Sequence, residues 1–233
     1  MNIMLISGHG GSDPGATASH NGVAYREADL TRKVTEALKT ALTGYADVTI
    51  YDTGRNAYND YIYGGLASRA GFERYDYVLE VHFNAFRKDT GDNKTKGTEI
   101  FVIPGRDNTD VEQKIVNAVS GVGLTNRGVK KQSFGVIATA ERMGTRAALL
   151  EVCFIDDADD MKLYRAKQSE IVAAIRDGLA DGLGLTAGDG GAVKPSGDRA
   201  KTQERFGFDD NTMAYLDKHP FPDALYQKLA NKE

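Results

Sequence analysis

Residues 77–85 read Tyr-Val-Leu-Glu-Val-His-Phe-Asn-Ala (YVLEVHFNA). Residues 77–83 are apolar or aromatic apart from Glu80 and His82, and the run has strand length. A short apolar run of this kind reads as a strand buried in a sheet, here ending near a histidine. Working outward, residues 2–7 (NIMLIS) form a second such run, stopped by Gly8 and followed by His9. Residues 47–51 (DVTIY), 99–103 (EIFVI) and 147–154 (AALLEVCF) read the same way, and residues 134–139 read as a further short strand. Helical spacing lies between them. Residues 27–42 place Leu30, Val34, Ala37, Leu38 and Ala41 on one face, and residues 107–120 do so with Val111, Ile115, Val116 and Val119. Residues 60–71 read as a glycine-weakened helix, and residues 157–183 as one long or two shorter helices. Strands alternating with helices predict an α/β fold, a mostly parallel twisted sheet with helices on both faces.

The composition narrows the class of function. The chain has 233 residues, 41% of them hydrophobic and 27% charged, with a net charge of −4. That charge gives no basic stripe for nucleic acid and no polybasic membrane anchor. No apolar stretch approaches the ~20 residues of a membrane span. Cys153 is the single cysteine, which rules out an intramolecular disulfide. The first residues lack the basic and apolar regions of a signal peptide, so synthesis and folding in a cytoplasm are expected.

The chemistry gathers at strand ends. In open α/β sheets ligands bind at the carboxyl ends of the strands. His9 and His82 stand at two such ends, which suggests a metal site, because imidazole is the commonest zinc ligand. Two histidines and a glutamate form a known zinc set that keeps a fourth position open. Glu27, at the start of the first helix, is placed to be the third ligand. Its alternative role is that of an acidic residue favoured in any first helical turn. Glu151 interrupts an otherwise apolar strand, where a carboxylate is costly unless paired or beside a metal. It is a natural general base, and its alternative is an ion pair with Arg146. Asn84 is a candidate substrate contact or a turn cap. His20, in a loop flanked by Ser, Asn and Gly, reads as exposed.

These residues, in this order, resemble the zinc-dependent N-acetylmuramoyl-L-alanine amidases of bacterial autolysins and phage endolysins, the amidase 3 family. ISGHGGSDPGA is similar to the family's first-strand motif, YREADLT to the segment with its second ligand and YDYVLEVHFNA to its third-ligand motif. TRAALLEVCFIDDADDMKLY is similar to its catalytic glutamate strand and trailing helix. Residues 97–99 and 126–129 also fit. The resemblance covers roughly residues 1–185. It implies one Zn2+ held by His9, Glu27 and His82, with Glu151 as the catalytic base. The implied reaction is hydrolysis of the amide between N-acetylmuramic acid and the L-alanine of the stem peptide, with peptidoglycan as the partner. A wall hydrolase without a signal peptide implies first a phage or prophage endolysin, reaching the wall after release or through a holin-type pore, and second a bacterial enzyme released by lysis or by a signal-less route. Alternatives are a related zinc hydrolase acting on another peptide or acyl-amino-acid amide, and a non-catalytic wall-binding module.

Two positions depart from the family pattern. Cys153 stands where Gly is usual, and Glu80 where Ser or another small residue is usual. Strand residues two apart share a face, which places Cys153 on the Glu151 side and Glu80 on the His82 side. Cys153 is then an inert core thiol or a soft group near the metal, and Glu80 a partner orienting His82 or a solvent-facing residue. Beyond the catalytic domain, residues 186–200 (TAGDGGAVKPSGDRA) read as a flexible linker. Residues 201–233 carry two short helical patterns. Asp209 or Asp210 would cap the first and Pro222 would start the second, over residues 223–231. Their apolar stripe implies a targeting or self-associating segment, with a homo-oligomer as one outcome.

Overall fold

The computed structural model describes residues 1–188 and 197–209, with residues 212, 213, 216, 229 and 230. The chain runs β1 (Asn2–Ser7), β2 (Thr17–His20), β3 (Val23–Arg26), α1 (Glu27–Ala41), β4 (Asp47–Ile50), α2 (Ala57–Ile62), α3 (Leu66–Ala70), β5 (Tyr77–Asn84) and β6 (Thr98–Val102). It continues through α4 (Asp110–Gly121), β7 (Asn126–Lys131), α5 (Gly135–Arg142), β8 (Arg146–Phe154), α6 (Ala158–Leu183) and α7 (Gly197–Phe206). Six strands form one sheet in the order β4-β1-β5-β8-β6-β7. All neighbours pair in parallel except β6 with β8.

The sheet is covered on both faces, as its nearly continuous apolar strands require. On one face Leu30, Val34 and Leu38 of α1 join Ile115 and Val119 of α4 and Ile171, Ile175 and Leu179 of α6 over Leu79, Val81 and Leu150. On the other, Ala57, Leu66 and Ala70 of α2 and α3 join Val136, Ile137 and Ala140 of α5 over Met4, Ile6, Val78 and Leu149. The α/β architecture expected from the sequence is the one observed.

Several local expectations are corrected. Residues 134–139, expected as a strand, enter α5 instead. Val136, Ile137 and Ala140 reach the core at helical spacing, so burial outweighs the β-branched residues that suggest a strand. Residues 60–71 divide into α2 and α3, because Gly64 takes a φ of 74° and ends the first helix. Residues 17–26 form the hairpin β2–β3, turned by Asn21 and Gly22 at φ 52° and 77°, the signature of a two-residue Asn-Gly turn. Of the two forms expected for residues 157–183, the two-helix one is observed: the stretch given as α6 is interrupted at Lys167, whose φ of −131° and ψ of 28° leave the helical region, so two helices meet there at a kink. The first turn of α6 is capped by Asp157, whose side chain accepts the Asp159 and Asp160 N–H groups.

The expected linker extends too far. Residues 197–200 already belong to α7, and residues 189–196 lie outside the described residues. Asp209 does cap a turn, accepting the Thr212 N–H at 2.7 Å. The helix expected over residues 223–231 lies outside the described residues apart from Leu229 and Ala230. Thr202 and Met213 are buried.

One ion-paired cluster pins the end of the sheet remote from the histidines. Glu112 on α4 is fully buried and accepts from Tyr77 Oη at 2.8 Å and from Arg146 Nη2 at 2.6 Å. Arg146 is therefore engaged far from Glu151, and the ion pair considered between those two does not form. Arg146→Ala should destabilise the fold by about 3 kcal/mol, the low end for breaking a buried pair, because Tyr77 still donates to Glu112. Denaturant unfolding of the variant checks this, and an unchanged midpoint would show that Glu112 needs no cation.

Candidate metal centre

The centre is assembled by three segments that meet at the carboxyl ends of β1 and β5. Gly8 continues β1 by donating its N–H to Val81 O, and the chain then turns sharply. His9 adopts the left-handed conformation at φ 65°, followed by Gly10 and Gly11 at φ 131° and 59°. A non-glycine residue held there is strained, and such strain clusters at functional sites. Glu27 opens α1 directly after the β2–β3 hairpin, and His82 projects from the end of β5.

Glu27 bridges the two imidazoles. Its Oε2 lies 3.1 Å from His9 Nε2 and its Oε1 2.9 Å from His82 Nδ1. The same oxygens accept the Ala16 and Phe83 N–H groups, which fixes the carboxylate although it is buried. The rings stand edge to face with centroids 5.1 Å apart. One ligand atom from each of His9, Glu27 and His82 lies within 4.8 Å of the others. The imidazoles thus converge on one side of the sheet, and these three residues can hold a metal ion. The two histidine partners keep the Glu27 carboxyl far below the usual carboxylate range against the opposing effect of burial.

The far nitrogen of each ring also has a carboxylate partner. His9 Nδ1 lies 2.8 Å from Asp13 Oδ2, and Asp13 is itself held by the Gly15 N–H and by Asn56 Nδ2. His82 Nε2 lies 3.1 Å from Glu80 Oε1. Glu80 is buried, so of its two expected settings the solvent-facing one is ruled out. Sequence reasoning misses Asp13 and Asn56. Its only signals for them are the short His9-to-Asp13 spacing and the turn-forming Asp-Pro-Gly of residues 13–15.

Glu151 stands beside His82 in the β5–β8 pairing, and Glu99 stands on its other side in β6. The two glutamates differ sharply. Glu99 is engaged by Arg127 Nε at 2.6 Å, by Lys130 Nζ and by Asn84 Nδ2 at 2.7 Å. Glu151 Oε2 is buried and has no hydrogen-bond partner among the described residues. Burial pushes the Glu151 carboxyl up to about 7, opposed by His82 and reinforced by Glu27, Glu99 and Glu80. Asn84 therefore holds Glu99, and does not simply cap a turn.

Two other expectations change. Strict alternation places Cys153 on the Glu151 side. Between His82 and Asn84, however, the pairing advances two residues on β5 but three on β8, from Glu151 to Phe154. This bulge turns Cys153 into the core formed with Val152 and Ile155, where burial pushes its thiol well above the usual range. It is an inert core residue. His20 is buried and not exposed, with Nε2 2.9 Å from Ile155 O.

Gly8 leaves room for the His82 ring. A Cβ at this position would lie 2.4 Å from His82 Cε1 and 2.5 Å from Nδ1. The ring is held at both nitrogens and cannot move aside. Gly8→Ala should therefore weaken metal binding by about tenfold or more. Zinc titration against a chelator measures this, and wild-type affinity in the variant would mean that the ring is not fixed.

An α/β sheet carrying two imidazoles, a bridging carboxylate and a further buried glutamate at its strand ends has the donor set of a metal-dependent hydrolase. A family model described as N-acetylmuramoyl-L-alanine amidase matches residues 3–181, and the chain belongs to that family. It is 26% identical over 208 residues to the endolysin of Bacillus phage SPP1, covering 85% of this chain and 74% of that one. It is 29% identical over 184 residues to the sporulation-specific N-acetylmuramoyl-L-alanine amidase of Bacillus subtilis (strain 168), covering 78% and 66% respectively. Another match, an uncharacterized protein of Clostridium perfringens, is spanned over only 44% of its length. The catalytic domain of CwlV, an N-acetylmuramoyl-L-alanine amidase from Bacillus (Paenibacillus) polymyxa, shares the fold with a TM-score of 0.59 at 19% identity, covering 79% of this chain and 99% of that one. No helix among the described residues is long and apolar enough to cross a membrane.

Proposed function

We propose that this chain hydrolyses the amide between the lactyl group of N-acetylmuramic acid and the L-alanine of the peptidoglycan stem peptide. The observation that carries this reading is the convergence of His9, Glu27 and His82 beside Glu151, whose Oε2 has no hydrogen-bond partner among the described residues, in a member of the amidase family. The donor set fits zinc: two imidazole nitrogens, which would give up a proton to the ion, and one carboxylate, each oriented by a second contact. When bound, zinc supplies Lewis acidity, polarising a carbonyl and lowering the pKa of water.

The chain's own residues do the rest. His9, Glu27 and His82 hold the ion. Glu151 takes a proton from the attacking water and passes one to the departing amine nitrogen, so the C–N bond breaks to a lactyl carboxylate and a free L-alanine amino group. A carboxyl raised toward neutrality by burial suits both transfers. Glu99, held by Arg127, Lys130 and Asn84, is less suited to them.

Digestion of purified peptidoglycan with and without a chelator tests the reading. Mass analysis should show stem peptides beginning with L-alanine, released only when metal is present. New ends at any other bond would favour a zinc hydrolase of a different amide, and wall binding without cleavage would favour a binding module.

Residues 1–185 form the catalytic unit in this reading, and the segment after Leu185 engages the wall or a second copy of the chain. The similarity to a phage endolysin supports a lytic role at the wall, reached after release or through a holin-type pore. Truncation after Leu185 should leave turnover of small soluble muropeptides unchanged and reduce lysis of intact walls. Equal lysis by both forms would show that the tail does not target the enzyme.

A further inference from the structure

We propose that Glu80 is a positioning residue that fixes the tautomer and orientation of the His82 imidazole, so that its Nδ1 lone pair is presented to the metal. The inference rests on the reading of His82 as a metal ligand and adds a residue from outside the ligand set.

Glu80 and His82 are two apart on β5 and share a face. Glu80 Oε1 meets His82 Nε2 at 3.1 Å, on the opposite edge of the ring from Glu27. A carboxylate can only accept, so in the metal-free chain the ring donates from both nitrogens, Nδ1 to Glu27 and Nε2 to Glu80; a metal that takes the place of the Nδ1 proton leaves Glu80 holding the one on Nε2, with the Nδ1 lone pair on the ion. Among the described residues, His82 is the hydrogen-bond partner of this carboxylate. Its strand neighbours are Ile6 on β1 and Leu149 on β8, both apolar. Its Oε2 is buried without a hydrogen-bond partner among the described residues. Burying a carboxylate in such a row is strongly unfavourable unless it is paired, and His82 is the partner present. Asp13 does the same for His9, so each imidazole is clamped between Glu27 and a carboxylate behind it.

The test uses the full chain, zinc and a competing chromophoric chelator. Glu80→Ala should bind zinc about 10–100-fold more weakly than wild type, and Glu80→Gln, which still accepts from Nε2–H, should recover most of that loss. Nitrogen-15 NMR of the zinc-loaded chain should show a His82 Nε2–H protected from exchange. Glu80→Ala should lose that protection while the His9 Nδ1–H held by Asp13 keeps its own. Equal or tighter zinc binding by Glu80→Ala overturns the proposal, as does equal loss in Glu80→Gln, which would make charge the operative factor. If Glu80→Ala fails to fold, the wild-type and Glu80→Gln spectra decide, and an unprotected wild-type His82 Nε2–H overturns the proposal. A wild-type chain that binds no zinc would instead refute the metal reading itself.

Discussion

Glu151→Gln is expected to lower turnover of purified walls by about 10²–10⁴-fold while leaving the fold and the zinc content intact. The amide keeps the shape and burial of the carboxylate but cannot take a proton from water. Glu151 is the strand-end glutamate beside His82 that lacks a cationic or amide partner on Oε2, whereas Glu99 carries Arg127, Lys130 and Asn84. Both kcat and kcat/KM should fall together, since the proton transfer that Glu151 supports belongs to the transition state and not to substrate binding. Activity close to wild type would pass the role to another carboxylate, with Glu99 and Glu80 the first to examine.

At His82 the expected effect is on the metal itself. His82→Ala should abolish zinc binding and with it wall cleavage. The ring supplies one of the three convergent ligand atoms and is also the partner of both Glu27 and Glu80. A ligand that binds only the folded state stabilises it, by about 4 kcal/mol at a thousandfold excess over Kd. The wild-type melting temperature should therefore rise with added zinc, and that of His82→Ala should not. A zinc-dependent rise in the variant would place the ion elsewhere. His82→Ala should also be less stable than wild type without zinc, because two buried carboxylates lose their partner.

The strands that build the centre are legible in the sequence because sheet burial writes itself as apolar runs, and a histidine or glutamate inside such a run stands out. That is how His9, His82 and Glu151 emerge, with Glu27 following from its place at a helix start. The less legible features depend on geometry that alternation cannot convey. One extra residue on β8 moves Cys153 into the core. The helical α5 looks like a strand because Val136 and Ile137 are β-branched, yet both reach the core together with Ala140. The Asn21-Gly22 dipeptide does carry a hairpin signal. The folding of β2–β3 against the rest of the chain is what buries His20. The carboxylates behind the two rings differ in kind. Asp13 is placed by a local turn, whereas the setting of Glu80 depends on which strands flank β5, a matter of sheet order rather than of local sequence.

If His9, Glu27 and His82 form one metal site that is separate from the base, losing a ligand and losing the base must have different consequences for zinc. Titrating zinc into the metal-free full chain and into its Glu27→Ala and Glu151→Gln variants separates the two. One ion per chain is expected for wild type and for Glu151→Gln, and none for Glu27→Ala at the same concentrations. Undiminished binding by Glu27→Ala, or loss of binding in Glu151→Gln, would contradict a single site built in this way.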